Sequence, residues 1–388
     1  MLDGRKVTVL GAGVSGLAVA RALALRGAEV TILEQAPEIR EIGAGIQISP
    51  NGAAVIAGLG LGDAFNVTSQ RTEAVELIDG ETGGQVLRLD LLRYRPQQQF
   101  RFVHRSDLID VLAEGARAAG VAIRLLQKVE QVHLGAHPPR LVTAQGGEFE
   151  ADLLIGADGL HSKVCEALNG AVAPFFTHHV AWRATLPAEP DIDPVAQVYM
   201  GPGRHLVTYP LRGGRLRNIV AVEKRTKWAE ESWSLTDDPL ALRIAFENFV
   251  PEVRGWLDRV ERPNLWGLFR HPVAARWHGE GAAILGDAAH PTLPFLAQGA
   301  NMALEDAWVL ARELGAKPTD AAFTAYQSAR AKRSRRIVDA ANANARNYHL
   351  SGLRRDLAHL GLRTFGRFAP DRVIGRFDWL YGHDVTAE

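Results

Sequence analysis

Lys6-Val-Thr-Val-Leu10, then Gly11-Ala-Gly13-Val-Ser-Gly16, then the segment ending in Glu29-Val-Thr-Ile-Leu-Glu34 decide how the chain begins to fold. The first run is apolar and β-branched, of strand length, and ends in glycine. Ser15-Gly-Leu-Ala-Val-Ala-Arg-Ala-Leu-Ala-Leu-Arg-Gly27 reads as a helix closed by a glycine, and the apolar run before Glu34 as a second buried strand. Strand, glycine turn, helix and strand in about 30 residues make a βαβ unit, which demands a parallel sheet covered on its faces. The fold class is therefore α/β at its N-terminus.

The glycines have separate duties in such a Rossmann-like turn. Gly11 makes the tight turn, Gly13 lets a pyrophosphate approach the backbone, and Gly16 lets helix and strand pack closely. The helix N-terminus adds amides and partial positive charge for the phosphates. Glu34 closes the second strand, where a carboxylate accepts the hydroxyls of an adenosine ribose and disfavours a 2′-phosphate. The turn thus points to FAD or NAD, and by itself does not choose between them.

Working outward, Thr72 to Phe102 reads as short strands, and Ser106 to Gly120 as a helix capped by Ser106. Val121 to Val129 reads as a strand, and Leu141 to Ile155 as a hairpin turning at Gly146-Gly147. Residues 176–225 read as antiparallel strands with turns at Gly201-Pro-Gly203 and Gly213-Gly214. Ala282 to Leu285 is one more buried strand, Asn301 to Leu314 an amphipathic helix, and Thr319 to Tyr348 mostly helical. The basic run Arg330 to Arg336 reads as a solvated face.

A chain of 388 residues suits two domains. With 47% hydrophobic and 23% charged residues it has the composition of a globular protein. Lys plus Arg and Asp plus Glu number 44 each, so no net field draws it to nucleic acid or an anionic membrane, and a small-molecule partner is expected. A single cysteine, Cys165, forms no internal disulfide, and no Cys/His spacing suggests a metal. No secretory leader or membrane-spanning run is read, so a cytoplasmic protein is expected.

Two later segments narrow the cofactor. Asp152-Leu-Leu-Ile-Gly-Ala-Asp-Gly-Leu-His-Ser162 and Leu285-Gly-Asp-Ala-Ala-His-Pro, running on through Gln298-Gly-Ala-Asn301 to Asp306, resemble the downstream signatures of the FAD-dependent aromatic hydroxylases. With the glycine turn they form a three-part pattern over essentially the whole chain, nearest the salicylate hydroxylase and 3-hydroxybenzoate 6-hydroxylase branch of group A flavoprotein monooxygenases. The resemblance implies a Rossmann-like FAD-binding domain in three parts (1–71, 103–175, 273–318) and a mostly antiparallel β-sheet substrate domain in two (72–102, 176–272). A C-terminal helical region (319–388), often used in homodimer contacts, completes it.

The resemblance also assigns residues. Asp287, after Gly286, matches the aspartate at the ribityl chain; Arg105 and Arg40 match arginines beside the flavin nucleotide. Asp158 matches a position tied to FAD and to the nicotinamide donor, and Cys165 stands where the family commonly has arginine. Pro294, Gln298, Gly299, Ala300 and Asn301 would lie at the isoalloxazine, the last three as helix-start amides facing its pyrimidine edge. Gly43-Ala-Gly-Ile-Gln47 would run along the ring, with Gln47 in reach of ring or substrate. Gln298 also reads as an ordinary surface amide near a helix cap.

The implied reaction is ring hydroxylation of a small phenolic acid, salicylate or 3-hydroxybenzoate, by NADH or NADPH and O2 through a flavin C4a-hydroperoxide. A phenol with a pKa of about 10 needs a proton acceptor, and histidine suits neutral pH. His205 and Tyr209, four apart on a strand, share a face and resemble the pair lining the pocket of 3-hydroxybenzoate 6-hydroxylases, although a sheet histidine and a packed tyrosine also fit. Arg183 could bind a carboxylate but reads as an exposed strand arginine, and His178-His179 as structural. The alternatives are hydroxylation of a hydroxypyridine acid such as 6-hydroxynicotinate, an NAD-linked dehydrogenase, and a non-catalytic flavin module.

Overall fold

The computed structural model describes residues 2–39, 44–135, 138–225 and 236–387. Its first sheet grows from the βαβ unit. Lys6–Leu10 and Glu29–Leu33 run parallel, from Lys6 opposite Glu29 to Leu10 opposite Leu33. The full order is His278–Gly279, Ala282–Ile284, Leu154–Gly156, Lys6–Leu10, Glu29–Leu33, Ala122–Arg124, parallel except at the first pair. Three distant stretches thus meet in one sheet, since a parallel neighbour must arrive by a crossover. Helix Val14–Ala24 packs between Arg105–Ala118 and Gly299–Ala316, with Leu17, Val19 and Leu23 fully buried.

The second sheet has seven strands in the order Asn264–Arg270, Phe175–Pro187, Leu216–Lys224, Arg204–Leu211, Val195–Gly201, Ala74–Asp79, Gln85–Asp90. All pairs are antiparallel except Val195–Gly201 with Ala74–Asp79. Alternation along the strands gives the sheet two unlike faces. Tyr199, Leu206, Ile219, Ala221 and Leu265 join a core with Leu242 and Trp256 of the short helices Pro239–Ala245 and Pro251–Asp258 and with Phe246, just past the first of them. Their neighbours Val198, His205, Val207, Val220, Val222 and Trp266 turn to the opposite face, which lines a cavity. A small antiparallel sheet, Ser69–Arg71 and Gly45–Ile48 on either side of Arg101–His104, closes its rim.

The structure corrects several local expectations. The strand expected over Val121–Val129 is two: Ala122–Arg124 in the parallel sheet and Val129–His133 in a separate three-stranded sheet. Leu126, at φ 59°, turns the chain between them. The hairpin does turn at Gly146, φ 78°, but ends at Glu150, and Leu154–Gly156 leaves for the parallel sheet. Helix Arg105–Ala118 is capped by the His104 ring, whose Nδ1 accepts from the Ser106 amide at 3.3 Å, rather than by Ser106. His178, at φ 59°, forms a bulge where the strand pairing shifts between Phe176 and His179, so the two histidines do not simply alternate.

The basic run on the long helix Thr319–Tyr348 is not a uniform solvated face. Arg330 is 1% exposed and pairs with Glu305 at 2.5 Å and with Asp306 at 2.8 Å. Arg333 pairs with Glu305 at 2.8 Å, whereas Arg335 and Arg336 are exposed. Among the described residues no helix is long and apolar enough to cross a membrane, and no cluster of three or more His, Cys, Asp or Glu is placed to hold a metal.

Candidate active site

The glycine turn is built as its sequence requires. Gly11 sits at φ 99°, and a Cβ there would fall 2.5 Å from the Ala157 carbonyl oxygen. A Cβ on Gly16 would fall 1.9 Å from the Gly11 oxygen, so this glycine serves helix packing and does not reach the cavity. A Cβ on Gly13 would meet nothing within 4 Å, because this residue opens onto the cavity at the start of helix Val14–Ala24. The Glu34 carboxylate accepts from the Ala12 amide at 2.7 Å and the Ala36 amide at 2.8 Å. Those bonds fix it beside the turn, with lone pairs left for further donors.

The cavity has a volume of about 1610 Å³ and lies between the two sheets. That exceeds the roughly 300–1,000 Å³ of a single small-ligand pocket. Besides Gly11, Gly13 and Glu34 it takes in Gln47, Arg105, Asp158, Asp287, Pro294, Gln298, Gly299 and Ala300. Arg40 lies outside the described residues. Burial pushes the Asp287 carboxyl up, with His290, Arg105 and His271 opposing, and pulls the Arg105 guanidinium down, with Asp287 opposing. An anion beside the arginine and hydroxyl donors beside the aspartate are the chemistry both would receive best.

Three other positions support the wall from behind. Gly286 does not face the cavity; its φ of 61° makes the turn before Asp287, and its amide donates to Asp306 at 3.0 Å. Asn301 is fully buried, accepts from the Ser49 amide at 3.0 Å and donates to the carbonyls of Gln47 at 3.1 Å and Ala297 at 2.7 Å. It clamps strand Gly45–Ile48 to the start of helix Gly299–Ala316. Gln298 borders the cavity but is 1% exposed, not a surface amide. Its amide donates to Ser49 Oγ at 2.9 Å and accepts from Asn51 at 3.2 Å, which fits a support better than a group acting on substrate.

Asp158 likewise faces inward with its carboxylate engaged. It accepts from Ser162 Oγ at 2.5 Å and the Lys163 amide at 2.7 Å, shaping the start of helix Lys163–Asn169. Cys165 of that helix is half-buried and away from the cavity, while Lys163 lines it. Lys163 is the first residue of that helix, so a cation does border the cavity there.

Strand Arg204–Leu211 brings His205 and Tyr209 to one wall of the cavity. Tyr209 stacks on Phe102 with ring centres 4.8 Å apart. A Cβ on Gly45 would fall 2.6 Å from the Tyr209 ring, which explains a glycine there. His205 Nδ1 lies 2.8 Å from Nε2 of His349, at the end of the long helix. Sequence reading missed His349, since a lone histidine after a helix carries no local signal. Arg183 is also at the wall, 4.7 Å over the Trp266 ring, and burial lowers its pKa to about 10. The exposed arginine expected there is corrected: on this strand its side chain falls on the cavity face.

A glycine cradle at a helix start, a carboxylate at the turn, an arginine and aspartate pair and a second helix start bordering one large cavity fit a flavin dinucleotide. Residues 5–341 match the profile of the FAD binding domain family. The chain is 34% identical over 390 residues to the 3-hydroxybenzoate 6-hydroxylase of Polaromonas naphthalenivorans (strain CJ2), covering 98% of this chain and 96% of the relative. It is 36% identical over 355 residues to the 3-amino-4-hydroxybenzoate 2-monooxygenase of Streptomyces cremeus, covering 89% and 88%. The fold matches that of Klebsiella pneumoniae HpxO complexed with FAD and uric acid, with a TM-score of 0.83 and 24% identity over 96% of this chain and 95% of that one. The chain belongs to the FAD binding domain family, among its group A flavoprotein aromatic hydroxylases.

Proposed function

We propose that the chain hydroxylates a monohydroxybenzoate of the 3-hydroxybenzoate type, with NADH or NADPH as electron donor and O2 as co-substrate. The observation that carries this reading is the placing of His205 and Tyr209 on one wall of the cavity that also receives the glycine turn and the start of helix Gly299–Ala316. Gly11, Gly13 and Glu34 would hold the adenosine and pyrophosphate, Arg105 and Asp287 the middle of the dinucleotide, and Gly299 and Ala300 the pyrimidine edge. Bound there, FAD supplies the redox chemistry, taking electrons from the nicotinamide and activating oxygen for transfer to the ring.

The chain's own share is acid–base and positional. Burial holds His205 well below an ordinary imidazole, so it is a neutral acceptor for the substrate's phenolic proton. Burial pushes the Tyr209 hydroxyl well above its usual value, with Arg183 opposing, so it stays protonated and can donate to the substrate oxygen. Val207, Val220 and Val222 keep the wall apolar and exclude water. Arg183 supplies a cation for the carboxylate, its plane set by Trp266.

The test is consumption of NADH, NADPH and oxygen by the flavin-loaded protein with 3-hydroxybenzoate, salicylate and 6-hydroxynicotinate, with products identified. The expected result is stoichiometric conversion of 3-hydroxybenzoate to a dihydroxybenzoate. Turnover of 6-hydroxynicotinate alone would move the substrate to the hydroxypyridine acids. In the same assay Arg183→Met is expected to raise KM for 3-hydroxybenzoate by about 10- to 100-fold, the size of one lost charge-assisted hydrogen bond. KM for 3-hydroxybenzamide, which lacks the charge, should move far less. Equal losses on both would remove Arg183 from carboxylate recognition.

A further inference from the structure

We infer that His349 is the outlet for the substrate's phenolic proton, a positioning and relay residue that acts through the 2.8 Å contact from its Nε2 to Nδ1 of His205. This rests on the phenolic-acid reading above.

His205 is 2% exposed and faces the cavity, and its Nδ1 is turned to His349, which leaves Nε2 for the substrate. His349 does not line the cavity and is partly exposed, so the pair spans the wall from inside to outside. The surroundings of the pair do not retain a proton. His179 lies with its ring centre 5.2 Å from that of His349 and tilted by 33°, and Tyr348 packs with its ring centre 5.1 Å from that of His205. Lys224 and Arg204 add positive charge, and among the described residues no carboxylate is a named influence on His349. Burial, then His179, Lys224 and Arg204, take His349 down to about 3. Neither imidazole rests as a cation at neutral pH, so a proton taken from the substrate must pass on.

The passage balances without a charged intermediate at rest. The phenolic O–H proton goes to His205 Nε2 as the His205 Nδ1 proton goes to His349 Nε2, and His349 releases the proton of its other nitrogen to water. One phenolate and one solvated proton result, and both imidazoles end neutral. The reverse passage reprotonates the product and restores the tautomers.

The experiment mixes flavin-loaded protein with 3-hydroxybenzoate in weakly buffered dye solution, reading proton release by stopped flow and ligand binding by the flavin absorbance change. No electron donor is added, so turnover is not needed. The wild type should release a proton on binding. His349→Gln and His349→Ala should bind 3-hydroxybenzoate within about threefold yet release the proton at least about tenfold more slowly, and free imidazole should restore the rate in His349→Ala; these expectations follow from losing one general base–acid link. Release at the wild-type rate in both variants overturns the relay, as does binding to the wild type without release. Failure of 3-hydroxybenzoate to perturb the flavin overturns the substrate reading and the relay with it, whereas proton release here combined with no hydroxylated product in the separate turnover assay with NADH or NADPH and oxygen overturns the substrate reading alone.

Discussion

Replacing His205 with alanine is expected to lower hydroxylation by about 10²- to 10⁴-fold, the usual contribution of a positioned general base, while flavin content is kept. A phenol with a pKa of about 10 is ionised to well under one part in a hundred at pH 7.5, and the ring accepts an electrophilic oxygen poorly until it is ionised. His205 faces the cavity from strand Arg204–Leu211 of the seven-stranded sheet, whereas Gly11, Glu34, Arg105 and Asp287, proposed to hold the flavin, reach it from other elements. Its backbone stays in register between Met200 and Val222, so the substitution removes the imidazole and little else. The measurement is product formed per nicotinamide oxidised, across pH 6.5 to 9.5. The alanine variant should recover part of its rate at high pH, where the phenol ionises unaided. Unchanged coupling at pH 7.5 would take His205 out of the chemistry.

The second large effect concerns stability. Arg330→Met is expected to destabilise the chain by about 3–5 kcal/mol, because it removes the one cation shared by two buried carboxylates and leaves Glu305 with Arg333 and Asp306 with His290 alone. Glu305 and Asp306 both have fully buried side chains. Against burial, which pushes it up, His290 and Arg330 hold the Asp306 carboxyl down to about 2. Burial likewise opposes Arg330, Arg333 and Asn51 at Glu305, whose pKa is still lowered. A carboxyl depressed in the folded chain adds stability above its unfolded pKa of about 4, and that stability is lost as pH falls toward the folded value. Without Arg330 the folded pKa values rise, so the deficit should be largest near pH 7.5 and shrink toward pH 4.5. The exposed Arg335→Met is the control and should stay within about 0.5 kcal/mol. Urea unfolding of the three proteins at both pH values decides it, and an Arg330→Met deficit no larger than the control's contradicts the account. Because Asp306 also holds the Gly286 amide, the same substitution should loosen the turn that presents Asp287.

What the sequence makes legible is what local geometry demands. A glycine at φ 99° under a carbonyl, followed by a helix start, leaves little choice of residue, so Gly11 to Gly16 announces its turn. Period-two alternation on the strand Arg204–Leu211 likewise brings His205 and Tyr209 to one face. The helix read from Asn301 to Leu314 is longer by two residues at each end. Pairings across the chain are not legible. Arg330 looks like part of a solvated basic face because its carboxylates sit on another helix, 24 residues before it in the case of Asp306. His349 meets His205 across 144 residues, and Arg183 turns inward only because its strand is flanked on both sides in the seven-stranded sheet. Gln298 and Asn301 invite a role at the ligand, yet their amides are committed to Ser49, Asn51, Gln47 and Ala297.

All of this depends on one flavin dinucleotide occupying the space between the two sheets. The most direct measurement is the flavin-to-protein ratio by absorbance after the purified chain is saturated with FAD and passed through gel filtration. The account predicts one FAD per chain, and the same ratio in His205→Ala. A colourless protein that takes up no FAD would contradict it.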